Sequence, residues 1–534
     1  MTPLAQGAAL LGSGRFHEAL AAFGQALAQD PVSLEARLGL ARASAGTGDV
    51  WAAVAWLNDA CRVAPEAPAP AHDLANLLLA QRQYAQALPV YQRLYGDLQA
   101  RDRATLLHHG FCLEQAGRLD EAAAQYREAL AREPGFMEAH VNLAGVLWRL
   151  EDHEGTLAHA RQAVALAPDH PYAVRILGTA LLHLNRLDEA EAALRRALQL
   201  QPGFALAQVD LALALLLAGR LEEGWALYQS RWNDTDRMAR PRFFQPALEW
   251  QGPARQPLQG KRLLVYAEQG LGDVIQFIRY AAQLQADGAT VQAVVQPELI
   301  ALVEGMPGVV CFKPGTDLVA DGHVALLDLP LHYGTTLATV PAPVPYLRAP
   351  DARRAQWRER LRPWAGQFKV GLAWAGAPVQ VNNRNRSMPL SELLALTGLD
   401  GVQCFSLQKS DGGGFTDVAL DDPRLAGGRL VDLTADWHDF ADSAAMIEGL
   451  DLVITIDSAV AHLAGALARP VWVMLPPNPD WRWLLERDDS PWYPSMRLFR
   501  RGFGEARAAQ VARVDSALRH WLLHMEDAVP GATA

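Results

Sequence analysis

The sequence predicts an all-α helical solenoid followed by an α/β region made of two doubly wound domains. Three observations support this prediction. A unit of 34 residues recurs between Gly14 and Gly219. The composition changes near Trp232, and from Lys261 onward short apolar strands alternate with helical segments. A fixed period of this length is typical of stacked helical hairpins that bind another chain. Strands that alternate with helices are typical of a parallel sheet.

Size and composition are those of a globular protein with two or three domains. The chain has 534 residues, of which 50% are apolar and 20% are charged. A net charge of -11 argues against nucleic-acid binding, which needs clustered basic residues. The N-terminus lacks the features of a signal peptide, and no apolar stretch is long enough to span a membrane. We therefore expect a cytoplasmic protein. Its four widely spaced cysteines are expected to be buried thiols: Cys61, Cys112, Cys311 and Cys404.

Each repeat is predicted to hold two helices joined by a turn. The first pairs are expected at 4–11 with 16–29 and at 34–45 with 50–63, because apolar residues there recur at helical spacing. Small residues in the helices allow neighbouring helices to pack closely. Prolines recur in step and end each second helix: Pro31, Pro65, Pro134, Pro168 and Pro202. The repeats are expected to occupy residues 1–235.

The rest of the chain divides into a linker, two α/β domains and a tail. Residues 236–260 are rich in Pro, Gly and Gln, and Trp250 suggests that this linker is attached to a surface. The domains are expected at 261–350 and 366–505, with a C-terminal helix and tail at 506–534. Their strands are predicted at 262–267, 291–295, 309–312, 323–327, 368–374, 402–407, 452–456 and 470–475.

The turn after the first strand contains a candidate catalytic acid. Gly270 and Gly272 allow the backbone to approach a ligand at a helix N-terminus, which favours negative charge. Asp273 would act there as a general base on a hydroxyl. The alternative is that Asp273 only caps the helix. The spacing matches neither the dinucleotide-binding glycine pattern nor the P-loop.

A second candidate segment follows the predicted strand at 452–456. Asp457 and Ser458 form a polar turn, and His462 lies one turn into the next helix. Backbone N–H groups and the serine hydroxyl would suit a phosphate. The alternative is an ordinary helix cap with a half-buried histidine.

Two loops at strand ends provide basic side chains. Arg386 follows one strand, and Gln408 and Lys409 follow another. These cations would offset the charge of a diphosphate without a metal, although exposed loop charges are the alternative interpretation. The aromatic stretch 479–493 is expected to serve packing more than ligand binding.

Four side chains at nearly equivalent positions of first helices are candidates for the acceptor groove of the repeats. A solvated helix face is the alternative interpretation for each. They are His109, Asn142, Arg175 and Asp210.

These motifs resemble two known families. The 34-residue unit, its prolines and its turn residues resemble the tetratricopeptide repeat (TPR), with about seven copies. Residues 258–500 look like glycosyltransferases of the heptosyltransferase (family 9-like) type, which have the GT-B fold of two Rossmann-like domains. The order of the domains is similar to that of O-GlcNAc transferase and of repeat-linked flagellin glycosyltransferases.

The resemblance implies a role for each motif. Gly272-Asp273 matches the family's Gly-Asp pair, which carries the catalytic aspartate. Asp457, Ser458 and His462 match its diphosphate-binding segment, in which Ala459 replaces the usual glycine. The family's basic loop residue corresponds best to Arg386, and less well to Lys409.

The sequence thus predicts a metal-independent, inverting glycosyltransferase with no cofactor. Its donor would be a nucleotide-diphosphate sugar and its acceptor a protein that the repeats recruit, for example a flagellin-like protein. One alternative is a lipopolysaccharide-type glycosyltransferase. Another is a non-catalytic adaptor with a degenerate GT-B domain.

Overall fold

The computed structural model describes residues 1–234, 238–316, 318–378, 380, 382–409, 414–419, 422–425 and 427–527. By its internal contacts the chain forms two compact units, Met1–Ala180 and Leu181–Ala534. The boundary falls inside a helix of the repeat region. The last helices of that region therefore belong to the same compact unit as the sheets.

Fourteen helices in seven pairs form the repeat region of the described chain. They are α1 (Pro3–Gly12), α2 (Phe16–Gln29), α3 (Leu34–Gly46), α4 (Val50–Val63), α5 (Pro68–Ala80), α6 (Tyr84–Gly96), α7 (Arg103–Gln115), α8 (Leu119–Arg132), α9 (Met137–Arg149), α10 (His153–Leu166), α11 (Pro171–His183), α12 (Leu187–Leu200), α13 (Ala205–Leu217) and α14 (Leu221–Tyr228). The predicted helices agree with these bounds to within one residue where the sequence analysis gave bounds.

The turn inside each pair has the same backbone conformation. One residue per turn is left-handed, with φ between 57° and 86°: Gly14, Gly48, Arg82, Gly117, Glu151, Asn185 and Gly219. The N–H of the following residue then donates to a carbonyl five positions earlier, as from Arg118 to Leu113 at 2.9 Å and from Arg220 to Leu215 at 2.8 Å. This is the Schellman arrangement that ends a helix. The repeating glycines of the sequence therefore reflect a repeating helix end.

Small residues in the first helices make room for aromatic rings of the second helices. A β-carbon on Gly39 would lie 2.5 Å from the ring of Phe23, and one on Gly110 would lie 2.6 Å from the ring of Tyr126. Both rings are fully or almost fully buried. The close packing that the sequence predicted is thus achieved by glycine against an aromatic ring.

Two parallel sheets follow within the second unit. The first contains β1 (Arg262–Tyr266), β2 (Thr290–Val294), β3 (Val309–Phe312) and β4 (Gly322–Ala325), in the order β3-β2-β1-β4. The second contains β5 (Phe368–Ala373), β6 (Val402–Ser406), β7 (Leu430–Asp432), β8 (Leu452–Ile456), β9 (Val471–Leu475) and β10 (Met496–Arg500), in the order β10-β9-β8-β5-β6-β7. Every pairing of these strands is parallel.

Helices connect the strands or follow the last of them. They are α15 (Leu271–Phe277), α16 (Ala281–Ala286), α17 (Ile300–Val303), α18 (Leu329–His332), α19 (Asp351–Leu361), α20 (Asn383–Arg386), α21 (Leu390–Leu393), α22 (Phe440–Glu448), α23 (Ala459–Ala466) and α24 (Arg507–Asp527). Parallel strands joined by helices confirm the predicted α/β class. Two strands were not predicted from the sequence: β7, which has only three residues, and β10, which follows a stretch rich in proline and tryptophan.

Each sheet has a point where the strand order reverses. In the first sheet this point lies between β1 and β4, and in the second it lies between β5 and β8. Open α/β sheets bind ligands in the crevice beyond the carboxyl ends of the strands at such a point. The residues that follow these four strands are therefore the first place to look for a site.

The segment between the repeats and the first sheet is attached to that sheet. Trp250 is buried, its backbone N–H donates to the carbonyl of His323 at 2.8 Å, and its indole donates to the Gln256 carbonyl at 2.8 Å. The ring of Phe244 lies 5.0 Å from the ring of His323. The expectation that this linker is attached to a surface is confirmed for residues 238–260.

Two general expectations also find support. All four cysteines are buried and unpaired. In the described part of the chain, no helix has both the length and the apolar character that crossing a membrane requires.

Candidate functional site

The two candidate segments of the sequence meet in the structure. Helix α15 begins just after β1, and α23 begins just after β8, so both start at the carboxyl ends of strands beside a reversal point. The two helices pack together, and Gly272 on α15 faces His462 and Ala459 on α23. The turn around Asp273 and the turn around Asp457 therefore form one cluster.

Asp273 is held by both of its carboxylate oxygens. It is the third residue of α15, and its Oδ2 accepts from the N–H of Gly270 at 2.7 Å, while its Oδ1 accepts from the guanidinium of Arg482. The capping role is thus present together with a buried ion pair. Burial raises the pKa of Asp273, and this effect outweighs the opposing effect of the nearby Arg482 charge. A carboxyl group with a raised pKa is a better match for proton transfer near neutral pH.

Arg482 is a member of the cluster that sequence reasoning missed. It lies in a short 3-10 helix, Trp481–Trp483, that follows β9, and it is 7% exposed. Its Nε donates to Gln276 at 2.6 Å and its Nη1 donates to Asp480 at 2.9 Å. The only sequence signal was one arginine inside an aromatic stretch, which is typical of a packed surface segment.

Arg386 joins the cluster from the loop after β5. Its Nη1 donates to the backbone carbonyl of Asp457 at 2.9 Å. A β-carbon on Gly376 would collide with this guanidinium, so the glycine leaves room for it. The loop is held by Ser387, whose hydroxyl accepts from the Gly376 N–H at 3.1 Å and donates to Asn383 at 2.9 Å.

Asp457 is a half-buried acid with neighbours of both charges. Burial and the charge of Asp480 raise the pKa of Asp457 to about 6, although Arg386 and Arg482 oppose the shift. Around pH 6 this side chain therefore exists in both protonation states. An anion that binds beside Asp457 would meet less repulsion when its carboxyl group is protonated.

Ser458 occupies the N-cap position of α23 without capping through its side chain. Its backbone is extended, with φ -153° and ψ 171°, and its hydroxyl lies 3.2 Å from that of Thr455. The alternative interpretation of Ser458 as a side-chain cap is therefore not what this geometry shows. The N-terminus of α23, which follows Ser458, carries the partial positive charge of the helix dipole, and this charge favours an anion.

His462 is a buried and neutral imidazole. Its Nδ1 lies 2.9 Å from the hydroxyl of Tyr493, and its ring stacks on Trp483 with centroids 5.2 Å apart. Burial, together with the positive charge of Arg482 and other nearby arginines, holds the pKa of His462 well below its usual value. The side chain therefore serves as a neutral hydrogen-bonding group at physiological pH.

The remaining loop residues make contacts of a different kind. The side-chain carbonyl of Gln408 accepts from the backbone N–H of Ala375 at 3.0 Å, which fixes the start of the loop after β5. Lys409 donates to the carbonyl of Trp437 at 2.7 Å. Two loop cations were predicted. Arg386 contacts the turn around Asp457, whereas Lys409 binds the carbonyl of Trp437. Residues 410–413 of the Lys409 loop lie outside the described residues.

The four predicted groove residues differ in exposure. His109 on α7 is 5% exposed, with its ring 5.5 Å from that of Tyr95, and Arg175 on α11 is 8% exposed. Asn142 on α9 and Asp210 on α13 are half-buried. Only the latter two offer partial access to a ligand on the repeat surface.

The end of the repeat region holds the turn that precedes Asp273. Arg231, in the 3-10 helix Gln229–Asn233 after α14, forms buried ion pairs with Glu268 at 2.9 Å and Asp328 at 2.5 Å. Burial and the negative charge of Asp328 raise the pKa of Glu268 to about 8, although the positive charge of Arg231 opposes this shift. Gln269 also donates to the hydroxyl of Tyr228 at 2.8 Å.

Aromatic packing extends this link to the Arg482 segment. The ring of Trp225 on α14 lies 5.0 Å from Trp481 and 6.1 Å from Phe277, and all three side chains are buried. The last helix of the repeats is therefore part of the packing that supports the cluster. In the described residues, no group of three or more potential metal-binding side chains comes together.

Comparisons with known proteins identify the repeats. The tetratricopeptide-repeat family model matches residues 4–68, 113–171, 157–203 and 177–231, so the N-terminal region contains tetratricopeptide repeats. Repeats of this kind typically bind other proteins.

Two solved structures show similarity at low sequence identity. YrrB, a TPR protein with an unusual peptide-binding site, is 16% identical, with a TM-score of 0.31 over 35% of this chain and 95% of its own. The APC/C hetero-tetramer Cut9-Hcn1 is 20% identical, with a TM-score of 0.31 over 40% of this chain and 42% of that chain.

Two curated relatives are also similar. Protein FlbA of Caulobacter vibrioides is 27% identical over 416 residues, which cover 72% of this chain and 68% of FlbA. Anaphase-promoting complex subunit 7 of Mus musculus is 29% identical over 178 residues, which cover 33% of this chain and 31% of that protein. The similarity to FlbA is too long to be confined to the repeat helices.

Proposed function

We propose that this protein is an inverting glycosyltransferase that moves a sugar from a nucleotide-diphosphate donor to a hydroxyl of a protein acceptor. One observation supports the proposal above the others. The turn around Asp273 and the turn around Asp457 meet at the carboxyl ends of two parallel sheets. The proposal includes the GT-B fold, in which two such domains form one site, and a reaction that needs no metal.

Each side chain would have a role in a single displacement. Asp273 removes the proton from the acceptor hydroxyl, and the oxygen attacks the anomeric carbon of the donor. The bond from that carbon to the diphosphate breaks, and the electron pair leaves with the diphosphate. Although Gly270 and Arg482 already bind Asp273, a carboxylate has further lone pairs that accept a proton.

The leaving diphosphate would be stabilised by fixed positive charge. Arg386 lies against the Asp457 turn, and the N-terminus of α23 points its N–H groups to the same place. His462 would donate or accept a hydrogen bond as a neutral ring. Charges that are already in position stabilise a transition state without reorganisation.

The tetratricopeptide repeats would select the acceptor. Their usual ligand is a peptide segment or a protein, so an acceptor protein is a better match than a free sugar. A flagellin-like protein is the acceptor that the repeat–transferase architecture suggests.

The decisive experiment is a donor panel with the full-length protein. UDP-, GDP-, ADP- and dTDP-sugars are tested for binding by calorimetry and for slow hydrolysis, with a CMP-sugar as a monophosphate control. We expect at least one diphosphate donor to bind and the CMP-sugar to fail. A folded protein that binds none of these donors would contradict the enzyme proposal.

A matched pair of variants tests the base. Asp273→Asn should reduce transfer or donor hydrolysis by roughly 10²- to 10⁴-fold, the usual contribution of a general base. Asp400→Asn changes an exposed aspartate of the same unit and should leave the rate unchanged. Equal rates for the two variants would remove Asp273 from the mechanism.

A non-catalytic adaptor is the second candidate, and one observation favours it. Both oxygens of Asp273 accept hydrogen bonds from protein groups. In that case the sheets would only support the repeats, and Asp273→Asn would leave the capture of a partner protein unchanged. The donor panel separates the two candidates.

A further inference from the structure

Arg482 lies between the two halves of the cluster. It pairs with Asp273 and Asp480, and it donates a third hydrogen bond to Gln276. Its positive charge also acts on Asp457 and His462. In each case this contribution lowers the pKa, although other effects raise the pKa of Asp457 overall. The same guanidinium thus acts electrostatically on the proposed base and on the proposed diphosphate-binding turn.

The cluster around the two turns holds several acids. Three carboxyl groups, Asp273, Asp457 and Asp480, stand against the two guanidinium groups of Arg386 and Arg482. A diphosphate would add further negative charge. Among the described residues a third arginine, Arg279, acts on His462, but its guanidinium donates to the carbonyls of Pro341 and Trp492 and to the hydroxyl of Tyr346. An arriving diphosphate and Asp273 would therefore compete for Arg482.

Arginine is suited to this competition. Its planar fork binds phosphate with two parallel N–H bonds, and charge-assisted bonds of this kind are about twice as strong as neutral ones. Within the described residues, Gln276, Asp480 and Asp273 take three of the five N–H groups that a guanidinium carries. The side chain therefore has donors that a ligand can engage before it displaces Asp273.

We propose that Arg482 is a shared cation, paired with Asp273 in the free protein and bound to the diphosphate in the complex with the donor. This inference rests on the proposed function and deepens it. Donor binding would draw Arg482 away from Asp273 and leave that carboxylate to accept the proton of the acceptor hydroxyl. The base would become available only after the donor is in place, which protects the donor from premature reaction.

The test measures the binding of nucleoside diphosphates to the full-length protein by calorimetry, with UDP, GDP, ADP and dTDP as probes. Arg482→Gln should weaken binding by roughly 10- to 100-fold, because a charge-assisted hydrogen bond is lost. Arg482→Lys should restore part of this loss, since it keeps the charge without the fork. Asp273→Asn should bind the same probe about threefold or more tightly, because it no longer competes for the arginine.

The increase in nucleoside-diphosphate affinity expected for Asp273→Asn is the more discriminating result. It can be measured even if Arg482→Gln fails to fold. An Arg482→Gln variant that folds and binds with wild-type affinity would overturn the shared role while the enzyme proposal stands. So would an Asp273→Asn variant that binds no more tightly than the wild type. If the wild type binds none of the probes, the proposed function fails and this inference fails with it.

Discussion

Gly272 of α15 lies against the imidazole of His462 on α23. A β-carbon at position 272 would come within 2.9 Å of His462 Cδ2 and 3.6 Å of the Ala459 Cα. The ring has little freedom to move, because Tyr493 binds its Nδ1 and Trp483 stacks on its face. This glycine is therefore needed for close packing between the two turns of the candidate site.

Replacing this glycine should disturb the site more than the fold. Gly272→Ala would push the His462 ring aside or separate α15 from α23. Overpacking of this kind costs about 1–3 kcal/mol. We expect nucleoside-diphosphate binding to weaken by about tenfold, as measured by calorimetry.

Gly366→Ala is the matched control for this variant. Gly366 is exposed, and a β-carbon there would meet no atom within 4 Å. Its stability and binding should remain at wild-type values. Wild-type binding by Gly272→Ala would show that the contact with His462 does not shape the site.

The pKa of Asp457 predicts how donor binding depends on pH. Burial and the charge of Asp480 raise this pKa to about 6, so the side chain gains a negative charge as the pH rises from 5 to 7. That charge repels a diphosphate, and affinity should fall by about tenfold over this range. Calorimetric titrations with a nucleotide sugar at pH 5, 6 and 7 measure the trend.

Asp457→Asn isolates the contribution of this carboxyl group. The amide cannot ionise, so the pH dependence should become nearly flat. Asp400→Asn, an exposed control, should keep the wild-type slope. If Asp457→Asn retains the full slope, another group is responsible for it.

The features that could be predicted from the sequence depend on residues that lie close together along the chain. A Schellman turn involves residues only five positions apart, so its glycines and prolines leave a readable period in the sequence. Buried parallel strands such as Leu452–Ile456 are continuous apolar runs, and they were equally readable. The candidate acids Asp273 and Asp457 were predicted because each follows such a strand.

The site residues that were not predicted are held by contacts between positions that are distant in sequence. Arg482 meets Asp273 across 209 positions, and Arg231 meets Asp328 across 97 positions. Neither arginine has a local pattern that distinguishes it from an ordinary surface charge. Their roles become visible only when the fold places them beside buried acids.

The left-handed turns of the repeats predict opposite effects for two glycine substitutions. Gly117 has φ 76°, and a β-carbon there would meet no atom within 4 Å, so Gly117→Ala should cost about 1 kcal/mol from backbone strain alone. Gly24 is exposed inside α2, and a β-carbon there would also meet no atom within 4 Å, so Gly24→Ala should stabilise the repeats by up to about 1 kcal/mol. Thermal unfolding of both variants measures these shifts. Effects of the same sign would contradict the assignment of position 117 as a helix end.

Arg231 should be critical for stability, because it binds two buried carboxyl groups. Arg231→Met would leave Glu268 and Asp328 without their shared partner, at a cost of about 3–5 kcal/mol. Arg242→Met removes an exposed arginine with the same change in net charge and should stay within about 0.5 kcal/mol of the wild type. Urea unfolding of the two variants at fixed pH measures the difference.

The loss caused by Arg231→Met should also depend on pH. The pKa of Glu268 is already raised to about 8, against about 4.3 in an unfolded chain. Between these values the folded chain holds a proton that the unfolded chain has released, so stability falls as the pH rises. Without Arg231 the pKa should rise further, and the variant should lose more stability at pH 8 than at pH 5. A loss of equal size at both pH values would mean that Arg231 acts through packing instead of charge.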